Sequence, residues 1–261
     1  MKSKKQNTIL FFSLTLLLVF TFVLNISLGQ VSIPVKEVFK SLSGAIASKD
    51  TWEYIIVNFR LPKAITAVLV GMGLSISGLL MQTLFRNPLA GPYVLGLSSG
   101  SSLGVALIIL GAAFLPSLVS EILLSSYGII VASCLGSFLV LLLVLIVSSR
   151  LRDTATILIV GLMFSSFTSA IVSVLTYFSS AEQLQKFTFW SMGNLGNLSW
   201  QNIIILAIVI TIGLVLSLIS IKSLDALLLG ENYAKSMGLN IKKSRYIIII
   251  ATSILAGSIT A

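Results

Sequence analysis

The stretch from Ala64 to Gln82, AITAVLVGMGLSISGLLMQ, decides the class of fold because it contains no charged residue and is long enough to cross a membrane. A helix of about 20 apolar residues spans the roughly 30 Å of hydrocarbon in a bilayer. Working outward, similar apolar runs occur at about residues 9–28, 94–113, 127–147, 155–178 and 203–221. A seventh run begins at Tyr246 and is still apolar at Ala261. The sequence therefore predicts an all-α, polytopic transmembrane helical bundle with six full spans and a truncated seventh.

The composition of the whole chain agrees with a membrane protein. Its 261 residues are 56% hydrophobic and only 10% charged, whereas soluble domains carry about 25% charged residues. This excludes an ordinary soluble enzyme, a disordered protein and a disulfide scaffold. With one cysteine, no histidine and no carboxylate deep in a predicted span, the chain lacks the groups for a Cys/His zinc site or for intramembrane acid–base chemistry. We therefore expect no enzyme activity, no metal site and no cofactor.

The distribution of basic residues orients the chain. With the N-terminus in the cytoplasm, most of the 17 Lys and Arg residues fall in cytoplasmic segments, as the positive-inside rule requires. The net charge of +9 is therefore interpreted as a topology signal and not as a nucleic-acid surface. A secretory signal peptide is the alternative interpretation of the first run, but this run is longer than a signal core and no small-residue cleavage site follows it.

Two periodic patterns of small residues lie within the spans. Gly96, Gly100 and Gly104 recur every four residues, which predicts a helix face for close packing against a second helix. The fifth span carries a stripe of hydroxyl side chains, namely Ser165, Ser169, Ser173 and Thr176. The stripe is interpreted either as the wall of a translocation path or as hydroxyls that bond to carbonyls of their own helix. The pattern alone leaves both interpretations open.

Two connections between the spans carry further signals. The outer loop, residues 29–63, has apolar residues at helical spacing, which predicts an amphipathic helix at the membrane interface. It ends with Arg60 and Lys63, two cations that either dock an acidic partner or anchor the next helix at the interface. On the cytoplasmic side, Asn87, Pro88 and Pro92 predict a rigid turn between the second and third spans.

A longer cytoplasmic loop, residues 222–245, joins the sixth and seventh spans. We predict two short helices broken at Gly230 and Gly238, with Tyr233, Ala234 and Met237 on one face. A small amphipathic surface of this kind suits a partner protein. The alternative is a structured loop on the membrane surface.

Taken together and in order, several segments resemble the permease family of bacterial iron-siderophore, haem and cobalamin ABC importers. The resemblance is carried by RLPK at 60–63, the glycine run with Gln at 71–82, RNPLAxP at 86–92, LGxSxG at 95–100, FWxMG at 189–193 and LGExxAxxxG at 229–238. It covers residues from about 9 to 261. Lys63 departs from the family, which has Arg there; the charge is kept and the bidentate fork is lost.

The resemblance implies partners and roles for particular residues. A permease of this family works with a second copy or a paralogue, two cytoplasmic ABC ATPase subunits and an extracytoplasmic substrate-binding protein. The basic pair Arg60 and Lys63 would dock the binding protein, and the fifth span would line the path. The ATPase subunits would dock on the loop between spans six and seven, through Leu229, Gly230, Glu231, Tyr233, Ala234, Met237 and Gly238.

The expected function is that of a permease subunit importing an iron-siderophore complex across the bacterial cytoplasmic membrane. The chain has no P-loop motif, so a separate subunit would hydrolyse ATP. Haem or cobalamin is the alternative cargo; an ATP-independent secondary carrier or a structural membrane protein would be a different class. We expect a single permease domain, residues 1–261, that is incomplete at its C-terminus, because the family continues to ten spans. Whether the chain is a fragment or a truncated product stays open.

Overall fold

The computed structural model describes residues 4–43, 49–111, 122–150, 154–196 and 198–260, and within these ranges every regular element is helical. The all-α prediction is thereby confirmed. The helices are α1 (Lys4–Ser27), α2 (Val35–Leu42), α3 (Asp50–Ile55), α4 (Leu61–Phe85), α5 (Leu97–Ile109), α6 (Ser126–Arg150), α7 (Thr154–Tyr177), α8 (Ala181–Met192), α9 (Trp200–Leu229), α10 (Glu231–Ser236) and α11 (Ile241–Thr260).

Five stretches of helix in the described ranges are long and apolar enough to cross a membrane. They are Lys5–Ser27, Asp50–Phe85, Tyr127–Val144, Ile159–Tyr177 and Trp200–Leu229. The third predicted span is shorter than expected, since α5 has only 13 residues. Its start is delayed because Pro92 opens a 3₁₀ turn, Pro92–Leu95, and Gly96 follows with a left-handed φ of 74°. Residues 112 and 113 of that predicted span lie outside the described ranges.

The second span begins earlier than predicted, because helix already forms within the expected outer loop. A π-helical turn, Ile56–Arg60, joins α3 to α4 so that helix runs from Asp50 to Phe85. Pro62 lacks an N–H, and in an α-helix its ring would clash with the carbonyl four residues earlier. The wider π turn lies just before this proline and is the kind of local insertion that lets a helix continue. The predicted amphipathic helix of this loop is present as α2.

The chain forms two compact units. The first unit contains residues up to 68 together with residues 195–204. Its core is a cluster of buried side chains, Ile26, Ile33, Val38, Ile56 and Ala64, with Trp52 and Leu61 packed against them. The indole N–H of Trp200 donates to the carbonyl of Val57 in the π turn at 3.2 Å. Apolar burial therefore holds α1, α2 and the π turn together, and this bond ties the first residue of α9 to the π turn.

The second unit contains residues 69–194 and 205–261, in which α5 packs against α6, α7, α8 and α11. One core cluster joins α5 to α8 through Val105, Ala106, Ile109, Leu110 and Phe187. At the crossing of α5 and α6 the two backbones meet directly. A Cβ on Gly100 would lie 2.6 Å from the carbonyl oxygen of Gly136 and 2.7 Å from Val140 Cγ2. Gly104 lies one turn further along the same crossing, whereas Gly96 precedes α5 and occupies the left-handed turn.

Candidate functional site

The cytoplasmic turn predicted around Asn87 begins with a helix end of defined geometry. The Asn87 N–H donates to the Gln82 carbonyl at 3.1 Å, and the Arg86 N–H donates to the Thr83 carbonyl at 3.3 Å. This pair of bonds is the Schellman motif, in which the residue after the helix takes a left-handed conformation. That residue is Arg86, the one described non-glycine residue with a positive φ, 48°. Glycine is the residue that usually fills this position.

The turn itself is closed by bonds between side chains and the backbone. The Asn87 Oδ1 accepts from the Leu89 N–H at 2.9 Å, and the Gln82 side chain donates to the Pro88 carbonyl at 3.1 Å. Pro92 then starts the 3₁₀ turn with its fixed φ. The two ends of the segment therefore have fixed directions, which gives this connection a defined shape between α4 and α5.

The segment Leu229–Leu239, which we call the elbow, is built around two glycines. Gly230 has a φ of 124° and ends α9, and Gly238 has a φ of 81° and ends α10. The Leu239 N–H donates to the Ala234 carbonyl at 3.0 Å and the Gly238 N–H to the Lys235 carbonyl at 2.9 Å. This is a second Schellman motif, here with the glycine that it favours.

The elbow contains one short helix and not the two that the sequence predicts. Residues 222–229 continue α9, and residues 241–245 already belong to α11, so that of residues 222–245 only α10 is a separate helix. The physical reason is that Lys222 and Asp225 sit on an otherwise apolar helix and do not interrupt it, while glycine with positive φ does.

An exposed apolar patch lies on the elbow and the end of α9. Leu229 is 68% exposed and Met237 is 64% exposed, and Leu228 and Tyr233 are also exposed. Ala234 is fully buried at 0%, so it does not share the exposed face with Tyr233 and Met237 as predicted. Tyr233 and Met237, four residues apart, present one side, while Ala234 anchors the other side to the protein. This arrangement offers a small apolar surface to a partner.

Two cations outside the elbow contact the chain on either side of Gly230, at the start of the elbow. The Arg86 guanidinium donates to the Leu227 carbonyl, which also accepts the Gly230 N–H at 3.2 Å. Arg245 of α11, only 6% exposed, forms an ion pair with Glu231 at 2.5 Å. Neither contact could be predicted from the sequence, because each joins residues far apart in the chain, 141 and 14 positions, with no shared period.

The predicted docking pair Arg60 and Lys63 separates into two different environments. The Arg60 guanidinium donates to the carbonyls of Ile26 at 2.7 Å and Ser27 at 2.8 Å, and also to the carbonyl of Val31. These groups lie at and beyond the C-terminal end of α1, where helix carbonyls have no partner of their own. Lys63 is exposed. Arg60 therefore caps a helix, and Lys63 presents its charge to the surroundings.

The hydroxyl stripe of α7 combines features of both interpretations left open above. Ser165 donates to the Gly161 carbonyl at 3.1 Å, Ser173 to Ser169 at 2.9 Å and Thr176 to Ser173 at 2.7 Å. Ser169 and Ser173 are nevertheless exposed. Their oxygens keep lone pairs that accept hydrogen bonds from outside the helix. Within the described ranges no group of three or more Cys, Asp or Glu residues is placed to hold a metal ion.

The fold and these features define a class, a polytopic helical membrane permease. Comparison with known proteins gives the family: the chain belongs to the FecCD transport family, whose model matches residues 17–261. It is 33% identical to the hemin transport system permease protein HmuU of Yersinia pestis, over 100% of this chain and 75% of that protein. It is 31% identical to the vitamin B12 import system permease protein BtuC of Klebsiella pneumoniae, over 94% of this chain and 69% of that protein.

A solved structure agrees with this assignment. It is described as a metal-chelate type ABC transporter in an inward-facing conformation, and it is similar to this chain with a TM-score of 0.78 and 31% identity. The match covers 95% of this chain and 74% of that one. The chain is thus an ABC importer permease that crosses the cytoplasmic membrane several times and works with ATPase subunits and a substrate-binding protein. The relatives are transport permeases and not enzymes.

Proposed function

We propose that this permease imports an iron-siderophore complex, with the elbow as the site that receives the ATPase subunits. The observation that carries the elbow assignment is its exposed apolar patch, Leu229, Tyr233 and Met237, on a segment bounded by two glycines with positive φ. A patch of exposed apolar side chains marks an interaction surface. A rigid segment transmits a push from its partner, whereas a flexible loop would absorb it. Residues 222–245 and the N-terminus would then lie in the cytoplasm.

Substitution of the exposed patch tests the elbow assignment. In the complete permease co-expressed with its ATPase subunits, Tyr233→Asp and Met237→Asp place a charge in the apolar contact. We expect the ATPase subunits to stop co-purifying, because a buried unpaired carboxylate is costly. Lys242→Asp, on an exposed position of α11, is the matched control for an added acid. Full co-purification of both patch variants would contradict the assignment.

For the outer side, we propose that Lys63 docks the substrate-binding protein and that Arg60 supports the surface that carries it. This divides the role that the resemblance gave to the pair. The support is the difference in environment: the guanidinium of Arg60 is engaged by three carbonyls, while Lys63 is exposed. An exposed lysine keeps its charge available for an acidic partner.

For the path, we propose that the hydroxyl stripe of α7, Ser165, Ser169, Ser173 and Thr176, faces the moving cargo, with a second permease copy or a paralogue completing the wall. Hydroxyls already bonded to their own helix offer acceptors without an unpaired donor. This suits a bulky polar chelate that must not bind tightly at any one point.

The cargo is tested by uptake. Cells lacking the permease gene would be given ⁵⁵Fe loaded on a hydroxamate siderophore, haem or cyanocobalamin as separate probes. We expect complementation to restore ⁵⁵Fe-siderophore uptake. Haem is the second candidate because HmuU, a hemin permease, is 33% identical over the whole chain. Restored uptake of haem or cyanocobalamin alone would replace the siderophore assignment and keep the importer.

A further inference from the structure

We propose that Arg86 and Arg245 are positioning residues that latch the elbow to α4 and α11, so that these helices move with it when the ATPase subunits act. The inference deepens the proposed function and rests on the elbow being the site where the ATPase subunits dock. Neither arginine belongs to the exposed patch; both act at the start of the elbow, through Leu227 and Glu231. The elbow is the only covalent link between α9 and α11, and the latch adds α4 as a third connected helix.

The contact of Arg86 connects the end of α9 to α4. The last carbonyls of a helix lack intrahelical partners and sit at the negative end of its dipole, so a guanidinium is favoured there. Leu227 provides such a carbonyl at the end of α9, and Arg86 supplies the guanidinium from the end of α4. A Cβ on Gly230 would be 3.9 Å from the same guanidinium. Arg86 therefore lies directly against the hinge that begins the elbow.

The backbone of Arg86 indicates that the side chain is kept for this contact. A left-handed residue with a Cβ costs free energy that glycine does not, and the Schellman bonds of α4 require the left-handed state. For the helix end alone, glycine at position 86 would be the better residue. Strain of this kind, held by the surrounding structure, points to a role for the side chain.

The contact of Arg245 connects α10 to α11. Its side chain is 7% exposed, while that of its partner Glu231 is 36% exposed. Glu231 is the first residue of α10, and Arg245 lies in the first turns of α11. Separating a mostly buried arginine from its acid is costly, so this ion pair opposes separation of α10 from α11. Together, the two arginines hold the chain on both sides of Gly230, where α9 meets the elbow.

The experiment measures whether the elbow and α4 move as one body. In a Cys134→Ser form of the complete permease, assembled with its ATPase subunits, spin labels would be placed at Lys235 on α10 and Leu79 on α4, both exposed. Pulsed electron spin resonance would give their distance distribution without nucleotide and after trapping with ATP and vanadate. In the unsubstituted protein we expect one narrow distance that is the same in both states.

Removal of either arginine should release the latch without removing the ATPase subunits. We expect Arg86→Gly and Arg245→Gln to at least double the width of the distribution, while the ATPase subunits still co-purify. Arg86→Gly suits the left-handed backbone, so its melting temperature should not fall. Arg86→Lys, which keeps the charge and loses the fork, gives a second reading at that position, and Lys242→Gln controls for charge loss on α11.

The outcomes separate the two proposals. A wild-type width in both arginine variants, or a distance in the unsubstituted protein that changes on trapping, would overturn the latch and leave the docking site standing. Loss of the ATPase subunits from Arg86→Gly and Arg245→Gln would make these residues part of assembly and not of transmission, and would also overturn the latch. Retention of the subunits by Tyr233→Asp and Met237→Asp would overturn the docking site itself, and the latch with it.

Discussion

The backbone crossing of α5 and α6 gives the sharpest test of the packing in the second unit. Gly100→Ala adds one methyl group at a point where the nearest atom is the Gly136 carbonyl oxygen, 2.6 Å from the new Cβ. Ordinary contact between such atoms begins near 3.5 Å, so the helices must separate by about 0.9 Å. Gly78→Ala is the matched control, because a Cβ there meets nothing within 4 Å. Both glycines lie inside helices.

The expected magnitude follows from the difference between the two variants. In each variant the helix gains about 0.5–1 kcal/mol of stability, because alanine is a better helix former than glycine. This gain cancels when the two variants are compared. A gap of 0.5–1 Å forfeits a quarter to a half of the dispersion energy of the atoms that line it, and overpacking costs about 1–3 kcal/mol. We therefore expect Gly100→Ala to be less stable than Gly78→Ala by about 1–3 kcal/mol, or about 2–12 °C in Tm.

The assay is thermal unfolding of the detergent-solubilised protein, followed by tryptophan fluorescence. Trp190 packs against the cluster that joins α5 to α8, so it reports separation near the crossing. Val140→Ala added to Gly100→Ala should recover only part of the loss, because it removes one of the two close atoms and leaves the carbonyl. A Gly100→Ala protein that melts at or above the temperature of Gly78→Ala would show that α5 and α6 do not meet backbone to backbone at this point.

Three further predictions concern the ends of the helices. Arg60→Gln should lower the free energy of unfolding of the first unit by about 2–3 kcal/mol, because charge-assisted bonds to carbonyls at the end of α1 are lost. Lys63→Gln, the control, should leave the melting curve unchanged. Equal melting of the two variants would contradict the capping role. Lys63→Glu should weaken binding of the substrate-binding protein about tenfold at low ionic strength, and the effect should fade as salt is added; biolayer interferometry measures this, and an unchanged Kd at low salt would speak against docking at Lys63. Gly238→Ala should lower the free energy of local unfolding of α10 by about 1–2 kcal/mol, because an alanine is strained at a φ of 81°. We expect amide hydrogen exchange in α10 to become faster. Exchange as slow as in the unsubstituted protein would count against a left-handed cap there.

Particular elements show how far sequence reasoning reached into the fold. The apolar runs predicted an all-α polytopic bundle. Each run is long enough to cross the lipid, and a helix pairs all backbone N–H and C=O groups of the run within the run itself. They missed the early start of the second span and the short α5. Both errors arose at proline and glycine, where a π turn and a left-handed residue set the boundary.

Only part of the candidate site could be predicted from the sequence. The motifs identified the segments, and the glycines of the elbow marked where the chain bends. The roles of individual side chains needed the folded arrangement. Arg60 and Lys63 look equivalent in the sequence, yet one caps α1 and the other is exposed. Tyr233, Ala234 and Met237 were assigned to one face, yet the middle one is buried.

Hydropathy and local motifs act over short stretches of chain, so they were enough to predict membrane-spanning helices and a permease. The arginines that hold the elbow, and the partner helix that Gly100 meets, are visible only in the folded chain. Those contacts join residues such as Arg86 and Leu227, 141 positions apart. Their energy exists only once packing has brought the two helix ends together, so no local pattern of residues encodes it.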